Sequence, residues 1–143
     1  MRDLDALTAA LHESGLRVTP QRQMIYAYLA GSPSHPTVDA VHDAVSRTLP
    51  SVSLRTVYQA LHDFAKLGDI RLVPLGGSSL RVDIRTEDHA HLVCVRCGQV
   101  RDVDVDLAAF VPPRPHRQGF SVDRTDVVFS GRCAACREAE RER

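Results

Sequence analysis

All four cysteines of this chain fall in two Cys-x-x-Cys pairs, Cys94/Cys97 and Cys133/Cys136. A two-residue gap lets both sulfurs of one turn face a single ion. Four thiolates in two such pairs suit a closed, tetrahedral, structural Zn(II) site. A redox dithiol and a set of buried thiols are the competing readings, and two independent pairs with nothing left over favour zinc. The 35 residues between the pairs exceed the gap of an ordinary zinc ribbon, so strands of a sheet must bring them together. A site built that way contributes directly to folding.

His89 and His91 stand just before the first pair. Residues two apart on a strand share a face, so His-x-His points two imidazoles the same way. With His35, Asp83 and Asp102 they form a mixed nitrogen and carboxylate set. Such a set suits Fe(II) or Mn(II) rather than a closed thiolate site. Each residue also has a plainer reading. His35 precedes Pro36 and fits a loop, Asp83 fits the wet side of a strand, and Asp102 belongs to an acidic alternation with Asp104 and Asp106. Spacing alone leaves both readings open.

The elements that must carry these groups are legible as periodicity. Leu4, Leu7, Ala10 and Leu11 share a helical face that stops at Gly15. Thr19-Pro20 starts a second helix as N-cap and first residue, with Ile25, Tyr28 and Leu29 inward and a stop in Gly31-Ser32-Pro33. Thr37 caps a third, with Val38, Val41, Ala44 and Val45 inward, ending near Leu49-Pro50. Ser53 caps a fourth, carrying Val57, Leu61, Phe64 and Leu67 and closed by Gly68. Two alternating segments, 71–75 and 80–84, flank Gly76-Gly77-Ser78-Ser79 and read as a hairpin. Helices followed by such a hairpin make a winged helix, in which the fourth helix enters the major groove and the hairpin touches the backbone.

Composition shifts at Arg85–Asp88, the expected hinge between a unit at 1–84 and another at 89–143. Segments 91–95 and 99–103 read as strands around the Cys94–Cys97 turn. A short helix begins after Asp106 and is cut by Pro112, Pro113 and Pro115. Segment 120–129 reads as a long third strand, and Arg137–Arg143 as a frayed, solvated helix. The fold class is therefore α/β (α+β).

No apolar run approaches the roughly 18 residues of a membrane span, and the N-terminus lacks the apolar core of a signal peptide. The expected compartment is cytoplasmic, where thiols stay reduced. Formal net charge is zero, against the basic excess usual in nucleic-acid binders. A DNA-binding face must then be a local cluster. Ser53, Arg55, Thr56, Tyr58 and Gln59 gather polar groups at the start of the fourth helix, where backbone amides favour phosphate. Arg55 suits a phosphate or guanine edge, and Tyr58 a sugar or thymine methyl. An ordinary amphipathic helix with a polar first turn is the alternative.

These residues together resemble the ferric-uptake-regulator (Fur) family of bacterial metal-dependent repressors. The resemblance runs through Gly15–Arg22, His35-Pro36-Thr37, Ser53–Leu61, His89–Cys94 to Cys97-Gly98, and Gly131–Cys136, and spans nearly the whole chain. It implies a regulator rather than an enzyme, with an N-terminal winged-helix DNA-binding domain and a small C-terminal α/β dimerisation domain. It implies a homodimer on an inverted-repeat, double-stranded operator, contacted through Arg17, Thr19, Gln21 and Arg22 as well as the fourth helix. Cys94, Cys97, Cys133 and Cys136 would hold structural Zn(II). His35, Asp83, His89, His91 and Asp102 would hold regulatory Fe(II) or Mn(II) and couple the two domains.

Within the family, Asp rather than Glu at position 102 resembles the peroxide-sensing branch, in which a ligand histidine, here His35 or His89, is oxidised and repression ends. Asp88, Ala90, Ala109 and Thr125 stand where other branches carry further ligands, which implies one regulatory site. The alternative is an iron- or zinc-uptake regulator of the same family. Two departures stand out. Val111–Pro115 interrupts the expected dimerisation helix, and Gln59 and His62 make the recognition helix less basic. A thiol enzyme using Cys94/Cys97 is a rival from another class, but no βαβ pattern precedes the pair. A zinc-stapled DNA binder without a sensor is the plainest rival.

Overall fold

The computed structural model describes residues 1–32, 35–77 and 79–142. Pro33 of the expected helix stop, Ser78 of the expected turn and Arg143 of the expected tail lie outside the described residues. The chain divides into two compact units, Met1–Thr86 and Glu87–Arg143.

The first unit is a winged helix. Helices α1 (Leu4–Glu13), α2 (Pro20–Ala30), α3 (Val38–Ser46) and α4 (Leu54–Lys66) precede strands β1 (Arg71–Val73) and β2 (Arg81–Asp83). Four side-chain caps start the helices. Asp3, Thr19, Thr37 and Ser53 accept from the amides of Ala6, Arg22, Ala40 and Thr56. Each satisfies one of the donors a helix start leaves without an intrahelical partner. The α1 stop is a left-handed Gly15 at φ 69°, with Leu16 N–H returning to Leu11 C=O at 2.8 Å.

One cluster fills this unit: Leu7 and Leu11 from α1, Ile25, Tyr26 and Leu29 from α2, Val38, Val41 and Val45 from α3, and Val57, Leu61 and Phe64 from α4. The wing is antiparallel, with Leu72 opposite Val82. Residues 36–38 join it as a third rung, through Val82 N–H to Pro36 C=O at 2.9 Å and Val38 N–H to Leu80 C=O at 3.2 Å.

Two sequence expectations are corrected here. Tyr26, not Tyr28, is the buried aromatic of α2. Positions 22, 25, 26 and 29 share a helical face as well as 25, 28 and 29 do, and Tyr26 finds Phe64 edge-on at 5.1 Å and Asp69 for its hydroxyl at 2.8 Å. Helix α3 ends at Ser46, three residues before Leu49.

The second unit is a three-stranded sheet of order β4-β3-β5, with β3 at Ala90–Cys94, β4 at Val100–Val103 and β5 at Val128–Gly131. Strand β4 runs antiparallel to β3 and β5 parallel to it. Between β4 and β5 lie two 3-10 turns, Leu107–Phe110 and Arg114–His116. The long strand expected over 120–129 is confined to its last two residues and the two that follow them. β3 is only five residues long, and its ladder with β5 begins at Val128. The tail is a helix, α5 (Ala134–Arg141), opened by Cys133. It is pinned by Glu140, which accepts from Arg132 at 2.6 Å and Arg96 at 2.9 Å. Arg132, foremost, and Arg96 hold the Glu140 carboxyl below its ordinary range.

Candidate metal centres and nucleic-acid face

Sheet register answers how two cysteine pairs 35 residues apart can meet. Parallel pairing sets Cys94 opposite Gly131, and Val95 N–H bonds Gly131 C=O at 2.8 Å. That brings the Cys133 turn beside the Cys94 turn. The four Sγ atoms then lie within 4.8 Å of one another. All four cysteines are free, and Cys97 Sγ and Cys133 Sγ are 3.7 Å apart. A disulfide needs about 2.05 Å. A tetrahedron of Zn–S bonds of about 2.3 Å has edges of about 3.8 Å, so the sulfurs fit zinc.

The thiols are unequal. Backbone amides of Cys97, then of Cys133, point at Cys94 and hold its thiol down at about 6. The Cys133 amide is 3.4 Å from that sulfur. Cys136, hydrogen-bonded first of all to the Cys133 sulfur, is pushed up to about 12. One sulfur is thus held ready as thiolate, the form that binds metal.

Register also builds the neighbouring group. His91 on β3 stands directly opposite Asp102 on β4. Asp102 Oδ1 lies 3.8 Å from His91 Nε2 and 3.3 Å from His89 Nε2, and the two imidazole rings are 4.5 Å apart. Both histidines are buried, whereas the Asp102 side chain is about one-third exposed. His89 Nδ1 lies 2.8 Å from the Glu87 carbonyl. A carbonyl only accepts, so Nδ1 carries the proton and Nε2 presents its lone pair. Metal-ligating histidines are oriented in this way by the partner of their other nitrogen. The distances to Asp102 exceed a good N–H···O bond and suit donors sharing one cation.

In the first unit, His35 Nε2 lies 3.7 Å from Asp83 Oδ1, and both residues are buried. Asp83 Oδ1 also accepts from the Arg85 amide at 2.9 Å, which turns its carboxylate inward at the end of β2.

The residues expected to contact DNA gather on the same unit. Arg17, Thr19, Gln21, Arg22, Arg55, Thr56 and Gln59 line a hollow of about 390 Å³ between the approach to α2 and the start of α4. Thr19 and Ser53 serve as caps, so their hydroxyls already accept from Arg22 N–H at 3.3 Å and Thr56 N–H at 3.1 Å. Tyr58 is half-buried against the core. Arg22 is ion-paired to Asp63. Sequence reasoning missed Asp63, although a carboxylate amid Val57, Ala60, Leu61 and Phe64 on an amphipathic helix is a visible anomaly. It also missed Glu140, which nothing in the local pattern of a charged tail distinguishes.

The chain is similar to known proteins over most of its length. The model of the ferric uptake regulator family matches residues 13–130. The peroxide-responsive repressor PerR of Staphylococcus epidermidis is 35% identical over 137 residues, covering 95% of this chain and 91% of that protein. The structure of the Helicobacter pylori ferric uptake regulator Fur superposes with a TM-score of 0.77 at 21% identity, over 96% of this chain and 93% of the other. PerR from Streptococcus pyogenes superposes at 0.55 with 26% identity, over 95% and 94%.

Proposed function

The chain belongs to the ferric uptake regulator family, and on that premise we propose that it is a metal-dependent transcriptional repressor that responds to hydrogen peroxide. The observation that carries the reading is Asp102 set between His89 and His91. A short carboxylate and two imidazoles make a nitrogen and oxygen donor set apart from the cysteines. Such a set suits Fe(II) or Mn(II). Two staphylococcal relatives at 35% and 34% identity are peroxide-responsive repressors, which supports the same reading.

In this proposal the two metal groups have separate duties. Cys94, Cys97, Cys133 and Cys136 hold structural Zn(II) and keep β3 and β5 together. His35 and Asp83 from residues 1–84 join His89, His91 and Asp102 from residues 89–143, with 85–88 as the hinge. Holding one ion in common would favour one arrangement of the two domains, and a ligand shifts a conformational equilibrium only through such differential affinity. Bound Fe(II) supplies the reducing chemistry toward peroxide. His35 and His89 are the imidazoles placed to be consumed, and loss of either dissolves the ligand set. The winged helix binds an inverted-repeat operator as a homodimer in the cytoplasm, with Arg17, Gln21, Arg55, Thr56 and Gln59 at the DNA. No helix among the described residues is long and apolar enough to cross a membrane.

The test is to load the protein with Fe(II), add stoichiometric peroxide, weigh the His35 and His89 peptides, and measure duplex binding before and after. One added oxygen on either peptide with loss of binding is expected. Unmodified peptides with binding intact refute the peroxide reading and leave a regulator of metal uptake.

A further inference from the structure

Asp63 lies on the core-facing side of α4, 3% exposed. A buried carboxylate is costly unless paired and hydrogen-bonded, and each of its oxygens has a different partner. Oδ2 takes Arg22 Nη2, and Oδ1 accepts from Gln59 Nε2 at 3.1 Å. Arg22 is itself fixed. Its backbone N–H goes to the Thr19 cap, its Nη1 to the Arg17 carbonyl, and its side chain is 14% exposed. Gln59 is exposed and borders the same hollow as Arg55 and Thr56.

The chemistry of these partners removes an ambiguity. An amide side chain can ordinarily be placed either way round. Guanidinium only donates, however, and an ionised carboxylate only accepts. The Gln59 atom facing Asp63 is therefore nitrogen, and Oε1 faces away from it.

We propose that Asp63 is a positioning residue that sets the polarity with which Gln59 reads a base edge. The inference rests on the DNA-binding function proposed above. With Nε2 engaged, Gln59 offers Oε1 to an exocyclic amino group, N6 of adenine or N4 of cytosine in the major groove. Arg22 pairs with Asp63 and acts through it, as a clamp between α2 and α4 rather than a phosphate contact.

Asp63→Asn reverses the arrangement. Arg22, a pure donor, takes the oxygen of the new amide, whose NH₂ then faces Gln59. Gln59 must turn its own oxygen inward and present NH₂ outward. The favoured base then carries an acceptor, O6 of guanine or O4 of thymine.

The experiment is enrichment of a randomised duplex pool by the Mn(II)-loaded full chain, followed by sequencing. Gln59→Ala locates the base pair, as the position whose preference it erases. The wild-type chain is expected to favour adenine or cytosine there by roughly tenfold, and Asp63→Asn to favour guanine or thymine. A purely structural Asp63 would weaken all sequences evenly, and that result overturns the proposal. Should Asp63→Asn fail to fold, the wild-type preference decides, because guanine or thymine would set a carbonyl oxygen against the outward Oε1, and its enrichment overturns the proposal. A wild-type chain that enriches no sequence instead refutes the DNA-binding function itself.

Discussion

Removing zinc should unfold residues 87–143 while leaving residues 1–86 folded. Within one chain, the second unit buries little apolar surface. Its buried apolar residues are Ala90, Val93 and Cys94, and β4, β5 and α5 bury none. A fully buried valine is worth about 1.5–3 kcal/mol and the two smaller side chains less, so this core supplies on the order of 5 kcal/mol. A four-thiolate zinc site contributes apparent free energies of roughly 10–16 kcal/mol in small domains, two to three times the core. The first unit has Leu7, Leu11, Ile25, Tyr26, Leu29 and Phe64 fully buried in one cluster and needs no metal. The assay is amide hydrogen exchange on the reduced protein before and after chelation. Amides of β3 and β5 should lose their protection, and those of α2 and α4 should keep it. Retained protection of Leu92 and Phe129 in the zinc-free protein would refute the reasoning, because the sheet would then stand on its own packing.

Other consequences follow from single contacts. Tyr26→Phe removes the bond its hydroxyl accepts from the Arg2 amide at 2.9 Å and a buried hydrogen bond to Asp69, whose carboxylate, after burial itself, helps push the Tyr26 phenol up to about 12. Bonds to charged groups are worth about 1.5–3 kcal/mol, read as a shift in denaturation midpoint with the Arg2–Asp69 pair at 2.8 Å left in place. Ser53→Ala deletes the α4 cap and should cost about 1 kcal/mol, with weaker duplex binding in a fluorescence titration. The Cys94 thiol is depressed to about 6, so its contribution as thiolate is present above the ordinary thiol range and lost as pH falls through about 6. Metal binding displaces the protons of these thiols, so zinc should be held more weakly as pH falls, read by its release to a colorimetric chelator on acidification.

The first unit was readable because its cues are local. Thr19-Pro20, Thr37 and Ser53 cap helices within three residues of themselves, and Gly15 and Gly68 end two of them at positive φ. Apolar spacing then identified the inward faces, apart from Tyr26. Both tyrosines of α2 lie on plausible faces, and only Phe64 and Asp69, some forty residues away, distinguish them. The strand expected over 120–129 failed for a related reason. A strand needs a ladder, and its extent depends on how much of β3 is available to pair.

Residue type and spacing alone singled out two groups of candidate metal donors, thiolate in pairs and imidazole with carboxylate, because ligand chemistry belongs to the side chain itself. They also determined four capped helices followed by a wing. Tertiary structure decided which donors meet. Parallel pairing of β3 with β5 joins Cys94 to Cys133, and antiparallel pairing with β4 puts Asp102 beside His91. It decided too that Arg22 faces Asp63, and so which end of Gln59 points outward. Such pairings depend on register and on groups distant in the chain, and neither leaves a mark on the residues next to them.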